Sequence, residues 1–252
     1  MSSIKVLASF MVIAIAMFLT MGESAMAEEV ELDEAKVFIE WNSTDGDQGI
    51  QFFWDSEGFT NMSVSNEEDG ELYVDTAGNV LDQGLTETAI ESVEPELSEQ
   101  TLQEFFERFP EGTYEFSGIS ILSTEDETIT ITGEAEFTHD LLEPVVFTKI
   151  KLPVIEWIEP EEDINEEPLD VVGYELVVEL VVEVEEDGDS EERVFKETTN
   201  FPAGVTKHIV SNTFMDIVKD PPGEITELKV EILAEEPSGN LTITEQALIE
   251  ED

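Results

Sequence analysis

The stretch TLQEFFERFPEGTYEFSG, Thr101 to Gly118, carries two periodicities in succession, and the switch between them sets the fold class. Leu102, Phe105, Phe106 and Phe109 fall at i, i+3, i+4 and i+7, which is one face of an α-helix. The spacing predicts a helix over about 98–109, with Ser98 as its N-cap and Pro110 as its stop. After a turn at Pro110-Glu111-Gly112 the period becomes two: Tyr114, Phe116 and Gly118 share one side of a strand, with Thr113, Glu115 and Ser117 on the other. A helix with three phenylalanines on one face needs an apolar sheet to lie on.

Working outward, the residues before this stretch supply that sheet. AKVFIEW puts Val37, Ile39 and Trp41 on one face, and a polar turn, Asn42 to Gly49, leads into IQFFWD, where Ile50, Phe52 and Trp54 alternate with Gln51, Phe53 and Asp55. The pair reads as a hairpin. Short strands punctuated by Gly58, Gly70, Gly78 and Gly84 continue to Ser92. Beyond the helix, TITITGEAEF places Ile129, Ile131, Gly133, Ala135 and Phe137 on one face. Residues 28–143 therefore read as an antiparallel β domain carrying one helix, built as a sandwich or rolled sheet.

From Pro144 the texture changes, and the sequence shows no further helix signal. VIEWIEP brings a Trp early, and in VVGYELVVELVVEVE Tyr174, Leu176, Val178, Leu180, Val182 and Val184 face one way with glutamates mostly on the other. That alternation predicts a buried face and a solvated reverse. RVFKET, AGVTKHIVS and two strands within PPGEITELKVEILAEEPSGNLTITEQAL complete about seven strands. Residues 144–252 thus read as an immunoglobulin-like β-sandwich, and the whole chain as mainly β.

Ahead of both lies a leader. Lys5 precedes an apolar run from Val6 to Met21, and Ala25-Met26-Ala27 presents small residues where a signal peptidase reads them. The expectation is a signal peptide over 1–27, cleavage after Ala27, and an exported protein, periplasmic or secreted, with no stable membrane insertion afterwards. The absence of cysteine excludes disulfides, thiolate metal sites and thiol catalysis. Sixty-two acidic residues against ten basic ones give a formal charge of -52, a field that repels nucleic acid and anionic lipid. Such a surface keeps an exported protein soluble in salty surroundings, where a Debye length of about 8 Å or less limits self-repulsion.

Trp157, the Tyr174 strand, Pro222-Gly223 before LKVEILA and the final SGNLT resemble a fibronectin type III domain, with Leu228 where the penultimate strand usually carries Tyr. IEWNSTDGDQGIQFFWD, QGLTETAIESVEPELSEQTLQEFFERFPEGTYEFSG and GEAEFTHDL resemble a group of exported bacterial proteins that pair such an N-terminal module with a fibronectin type III-like domain. No function is established for that group, so the resemblance implies architecture and export and assigns no catalytic residue.

The sharpest chemical candidate is Asp45-Gly46-Asp47 with Asp55, because calcium takes several carboxylate and carbonyl oxygens around a Gly-relieved turn. The spacing is not that of an EF-hand, and a DG hairpin turn also accounts for these residues. His139 and His208 form no metal-spaced pair, and no G-x-S-x-G accompanies Thr138-His139-Asp140. Trp41, Trp54, Phe52 and Phe53 suggest a sugar-stacking platform, although inward strand positions explain all but Phe53, which asks for a second apolar layer or a ligand. The N-x-Ser/Thr matches at Asn42, Asn61 and Asn240 are coincidental in a protein with a bacterial-type export signal. The sequence reads as a non-enzymatic binding or interaction protein, open to a protein or carbohydrate partner. The alternative is a carbohydrate-active or other hydrolase using Asp and Glu carboxylates, a class that needs two of them suitably spaced.

Overall fold

The computed structural model describes residues 28–66, 71–125, 127–186 and 189–250, so the leader and its cleavage site lie outside the described residues. The hairpin is formed as read. Strand β2 (Glu34–Asn42), which follows the short β1 (Glu28–Glu31), pairs antiparallel with β3 (Asp47–Ser65) from Glu34↔Asp55 to Asn42↔Asp47. Asn42 Oδ1 accepts from the backbone N–H groups of Thr44 and Asp45, an Asx turn, and Gly46 takes the left-handed conformation that closes it (φ 74).

β3 is far longer than one strand of a hairpin needs, because it serves two neighbourhoods. Its first arm also pairs β5 (Leu85–Glu91); its second pairs β4 (Glu71–Asp75) and β6 (Gly112–Ser120). The arms meet at Ser56–Gly58, where Ser56 Oγ accepts from Gly58 N–H and Gly58 sits at φ 120 with Ile121 packed where a Cβ would be. β6 then pairs β7 (Ile129–Phe137), whose other edge takes β1 in parallel. Val37, Ile39, Trp41, Ile50, Trp54, Phe59, Met62, Phe116, Ile131 and Phe137 fill one core between these strands.

The predicted helix lies on that core but starts later than Ser98. Helix α2 (Leu102–Arg108), which follows the single-turn α1 (Asn79–Gln83), is capped by Thr101: Oγ1 accepts from Glu104 N–H at 3.2 Å, and Glu104 Oε2 accepts from Thr101 N–H at 2.9 Å. This reciprocal box satisfies two donors that Ser98 cannot reach, since its hydroxyl donates to Glu96 instead. Phe105 is buried; Leu102, Phe106 and Phe109 pack beside it.

The second half is a sandwich of seven strands. β8 (Val146–Lys151), β9 (Val154–Ile158) and β12 (Lys207–Ile209) make one sheet; β10 (Gly173–Glu186), β11 (Asp189–Pro202), β13 (Glu224–Glu235) and β14 (Leu241–Glu250) make the other. Tyr174, Leu176, Val178, Leu180, Val182 and Val184, with Val230 and Ile232 beside them on β13, face Ile155 and Trp157 of the other sheet in a second core. Two readings need correction. The reverse face of β10 is not fully solvated: Val177 and Val181 are 9% and 8% exposed there. They lie beside the Lys196–Glu179 pair, whose aliphatic stems cover apolar neighbours. Nor is the half free of helix, because α3 (Asn212–Lys219) follows β12, capped by Ser211 Oγ accepting from Phe214 N–H and burying Phe214 and Met215.

The two halves share one eleven-stranded sheet, ordered β1-β7-β6-β3-β2-β14-β13-β10-β11 with β4 and β5 also on β3. Its seam is parallel, Leu241–Ile243 of β14 against Glu40–Asn42 of β2, and the parallel pairing of β1 with β7 means that the first half is not purely antiparallel either. The seam is locked by Asn240, 1% exposed, whose Oδ1 accepts from Ile39 N–H at 2.7 Å while Nδ2 donates to the carbonyls of Thr138 and Asp140. Thr242 Oγ1 adds a bond to Leu142 O, and Ser43 Oγ one to Ile243 O.

Candidate functional site

Because β3 bends, its two arms carry apolar residues toward a common space that the core does not fill. The result is a cleft of about 580 Å³. Ile50 and Phe52 come from the first arm and Val64 and Ser65 from the second. Leu72 of β4 stands beside Val64, Ile90 of β5 beside Phe52, and Tyr114 of β6 and the end of α2, Arg108 and Phe109, close the remaining sides. The floor is rigid: Ile50, Val64 and Tyr114 are buried, and the Tyr114 ring packs 6.4 Å from Phe52. The walls, Phe52, Leu72, Ile90 and Phe109, are half-buried.

Among the described residues two charged ones line the cleft, Glu91 and Arg108. Glu91 is drawn to the reverse of the sheet, where Oε1 accepts from Gln51 Nε2 at 2.9 Å and the carboxylate meets those of Glu40 and Glu94 within 4.8 Å. There, burial first and then the charges of Glu94, Glu91, Glu231 and Asp47 push the Glu40 carboxyl up to about 7. Burial and the Glu91 charge raise Glu94 in the same direction. A neutral carboxyl at Glu40 eases the repulsion within this cluster.

The carboxylates read as a calcium site are not brought together. Asp45 lies in the hairpin turn, where Oδ2 accepts from Asn42 Nδ2, and Asp47 opens β3, its carboxyl raised by burial and by the Asp45 charge. Asp55 is eight residues further along a strand in unbroken register, about 26 Å away at 3.3 Å per residue. A calcium ion bonds oxygens at about 2.3–2.6 Å, so these three carboxylates cannot converge on it. The aromatic platform is likewise absent, since Trp41 and Trp54 are 8% and 0% exposed in the core. Phe53 does have a cover: Lys36 Nζ lies 5.9 Å from its ring centroid, directly across the β2–β3 ladder.

Neither histidine stands beside a nucleophile. The His139 ring stacks on Phe106 with centroids 4.2 Å apart, and its Nε2 meets Phe109 O at 2.7 Å, which fastens the segment after β7 to the helix end. His208 Nε2 is 3.0 Å from Glu197 Oε1, and Glu197 also accepts from Ser211 N–H at the start of α3. Although burial opposes it, hydrogen bonds from Ser211 and His208 hold the Glu197 carboxyl below its ordinary range.

Sequence reasoning missed the cleft and Arg108. Phe109 and Tyr114 were legible as apolar positions, but their role as walls depends on the bend in β3. The one local signal was Gly58, read as punctuation between strands.

Among the described residues no helix is long and apolar enough to cross a membrane. No family model and no curated protein matches the chain. Solved structures similar to it include a tetra-tandem repeat from the extending region of a large adhesion protein, at 8% identity and a TM-score of 0.22 over 85% of this chain and 48% of that one. Another comes from work on host cell surface retention of a 1.5-MDa bacterial ice-binding adhesin, at 8% identity and a TM-score of 0.23 over 90% of this chain and 66% of that one. The chain therefore spans about half and about two thirds of those two chains, and similarity at this level carries no conclusion about what it binds.

Proposed function

We propose that the chain is an exported, highly acidic binding protein without catalytic activity, in which the N-terminal half holds a small apolar guest. The C-terminal sandwich, fibronectin type III-like by the resemblance of its Trp157, Tyr174 and SGNLT segments, is its mount. The observation that carries this reading is the cleft of about 580 Å³ over a buried apolar floor. Its size falls within the roughly 300–1,000 Å³ of small-molecule sites, and its many apolar and few polar lining groups match their composition.

Nile red, a neutral dye that brightens in apolar surroundings, should bind the purified protein saturably and with one site per chain. Ile90→Trp, which places a larger ring into the cleft from its wall, should weaken that binding at least tenfold without lowering the melting temperature by more than a few degrees. Dye binding that does not saturate, or that ignores Ile90→Trp, would defeat the reading. A panel of polysaccharides and chromogenic esters and glycosides should show no turnover; reproducible turnover lost on a single carboxylate substitution would move the protein to the hydrolases.

A further inference from the structure

We infer that the cleft selects an amphiphilic carboxylate, its apolar body on the Ile50–Val64–Tyr114 floor and its head group against the Arg108 guanidinium. The inference rests on the binding reading above and adds the chemical class of the guest.

Basic residues are scarce in this chain. The chain has ten basic residues among 62 acidic ones, so a cation without a carboxylate partner is unexpected. Among the described residues Lys36, Lys149, Arg193, Lys196, Lys207, Lys219 and Lys229 each have a carboxylate oxygen within 4 Å. Lys151, at the end of β8 and outside the lining of the cleft, has none. Arg108, at the cleft mouth, has none either. Its nearest opportunity on the helix is Glu104, one turn earlier, but that carboxylate accepts from the backbone N–H and hydroxyl of Thr101 at the far end of α2. Glu91, the other charged lining residue, is occupied by Gln51 on the reverse of the sheet. Among the described residues the cleft thus offers a guest one positive fork, with the Glu104 charge one turn away and Glu91 held by Gln51.

The chemistry of that fork narrows the guest. A guanidinium presents parallel N–H donors that match a carboxylate bidentately, a geometry that an ammonium or a hydroxyl does not offer. A position in the last turn of a helix favours a cation for its own reasons. It does not require that the cation border a cavity floored by Ile50, Val64 and Tyr114. The Ser65 hydroxyl, on the same rim and without a hydrogen-bond partner among the described residues, is a further donor for the head group. With a net charge of -52 the surface field as a whole repels anions, so the carboxylate gains its attraction locally, beside the guanidinium.

The test is displacement of Nile red from the full chain by decanoate, 1-decanol and decylamine, which share one apolar body and differ in head group, at pH 7.5 and fixed ionic strength. Decanoate should displace the dye at a concentration at least tenfold below that of decanol. Arg108→Gln should weaken decanoate at least tenfold and leave decanol within twofold, and Arg108→Lys should restore part of the preference. Arg108 is exposed, so both variants keep the core, and urea midpoints equal to the parent's will confirm that they fold as it does. Equal displacement by decanoate and decanol, or an equal loss of both in Arg108→Gln, would overturn the assignment of the head group while leaving the cleft a binding site. Preference for decylamine would invert it and point to the surrounding acids. If none of the three displaces a bound dye, the carboxylate assignment fails; if the dye itself does not bind, the functional reading fails with it.

Discussion

Glu40 shows how a single position can answer to several strands at once. It sits on β2 opposite Gly49, and the missing side chain there lets Glu94 lie against the sheet. With its folded-state pKa raised from 4.5 to about 7, Glu40 binds a proton more readily folded than unfolded. Its contribution therefore stabilises the fold as pH falls from 8 through about 7 toward 4.5, and opposes the fold above that window. Glu40→Gln should make the protein more stable at pH 8 by about 1–2 kcal/mol, the full shift being discounted because the carboxyl is partly exposed and its charges are screened. The gap between variant and parent should close near pH 5. Urea midpoints at the two pH values read it directly, and an unchanged gap would mean that the neighbours, rather than Glu40, hold the proton. At this scale the sequence was readable where a residue's role depends on its own strand. Phe53 could be flagged as out of phase, whereas Lys36 as its cover requires the cross-strand register. Glu40 looked like one glutamate among many, because its neighbours come from β5, the loop after it and β13.

Helices and strands were legible in proportion to their length and periodicity. α2 follows from its four apolar positions, but its start was misread because Ser98 and Thr101 are both good capping residues and only the tertiary position of the Glu96 carboxylate decides between them. The choice has a measurable consequence: Thr101→Ala should cost about 1 kcal/mol of stability, the usual value for a lost cap, whereas Ser98→Ala should stay within about 0.5 kcal/mol. Equal losses in denaturant titrations would mean that the cap shifts between the two. α3 escaped notice although Phe214, Met215, Ile217 and Val218 fall at i, i+1, i+3 and i+4, because eight residues give only two turns in which that spacing can repeat. The long alternation of β10 disclosed its inward face without error. Its outward valines were misjudged because shelter there comes from side chains on β11.

At the level of the molecule, the dominant number is the charge of -52, compressed onto a folded surface that unfolding would dilute. Raising sodium chloride from 0.1 to 1 M shortens the Debye length from about 10 to about 3 Å, so the melting temperature should climb by several degrees. Because Asp55 lies remote from Asp45 and Asp47, calcium at matched ionic strength should add no saturable increment that Asp47→Ala removes. A saturable calcium shift would reveal a cation site assembled from other acids, and a melting temperature indifferent to salt would mean that the charges are spaced too widely to strain the fold. The salt response follows from composition alone. What composition and pattern could not supply is the union of the two halves in one sheet. The seam pairs residues about 200 positions apart, and its register is set by the buried amide of Asn240, which resembles any turn asparagine until its partners on β2 and at residues 138–140 are known.

That parallel seam also has a mechanical meaning. β2 enters the overlap from one direction and β14 leaves it in the other, so tension applied between residue 28 and residue 250 would act along the strands at the seam. Its backbone bonds and the Asn240, Ser43 and Thr242 contacts would then bear the load together, as a lap joint does, instead of opening one after another like a zip. Under traction the joint between the halves would be a strong part of the chain, although it is built from only three paired residues on each strand.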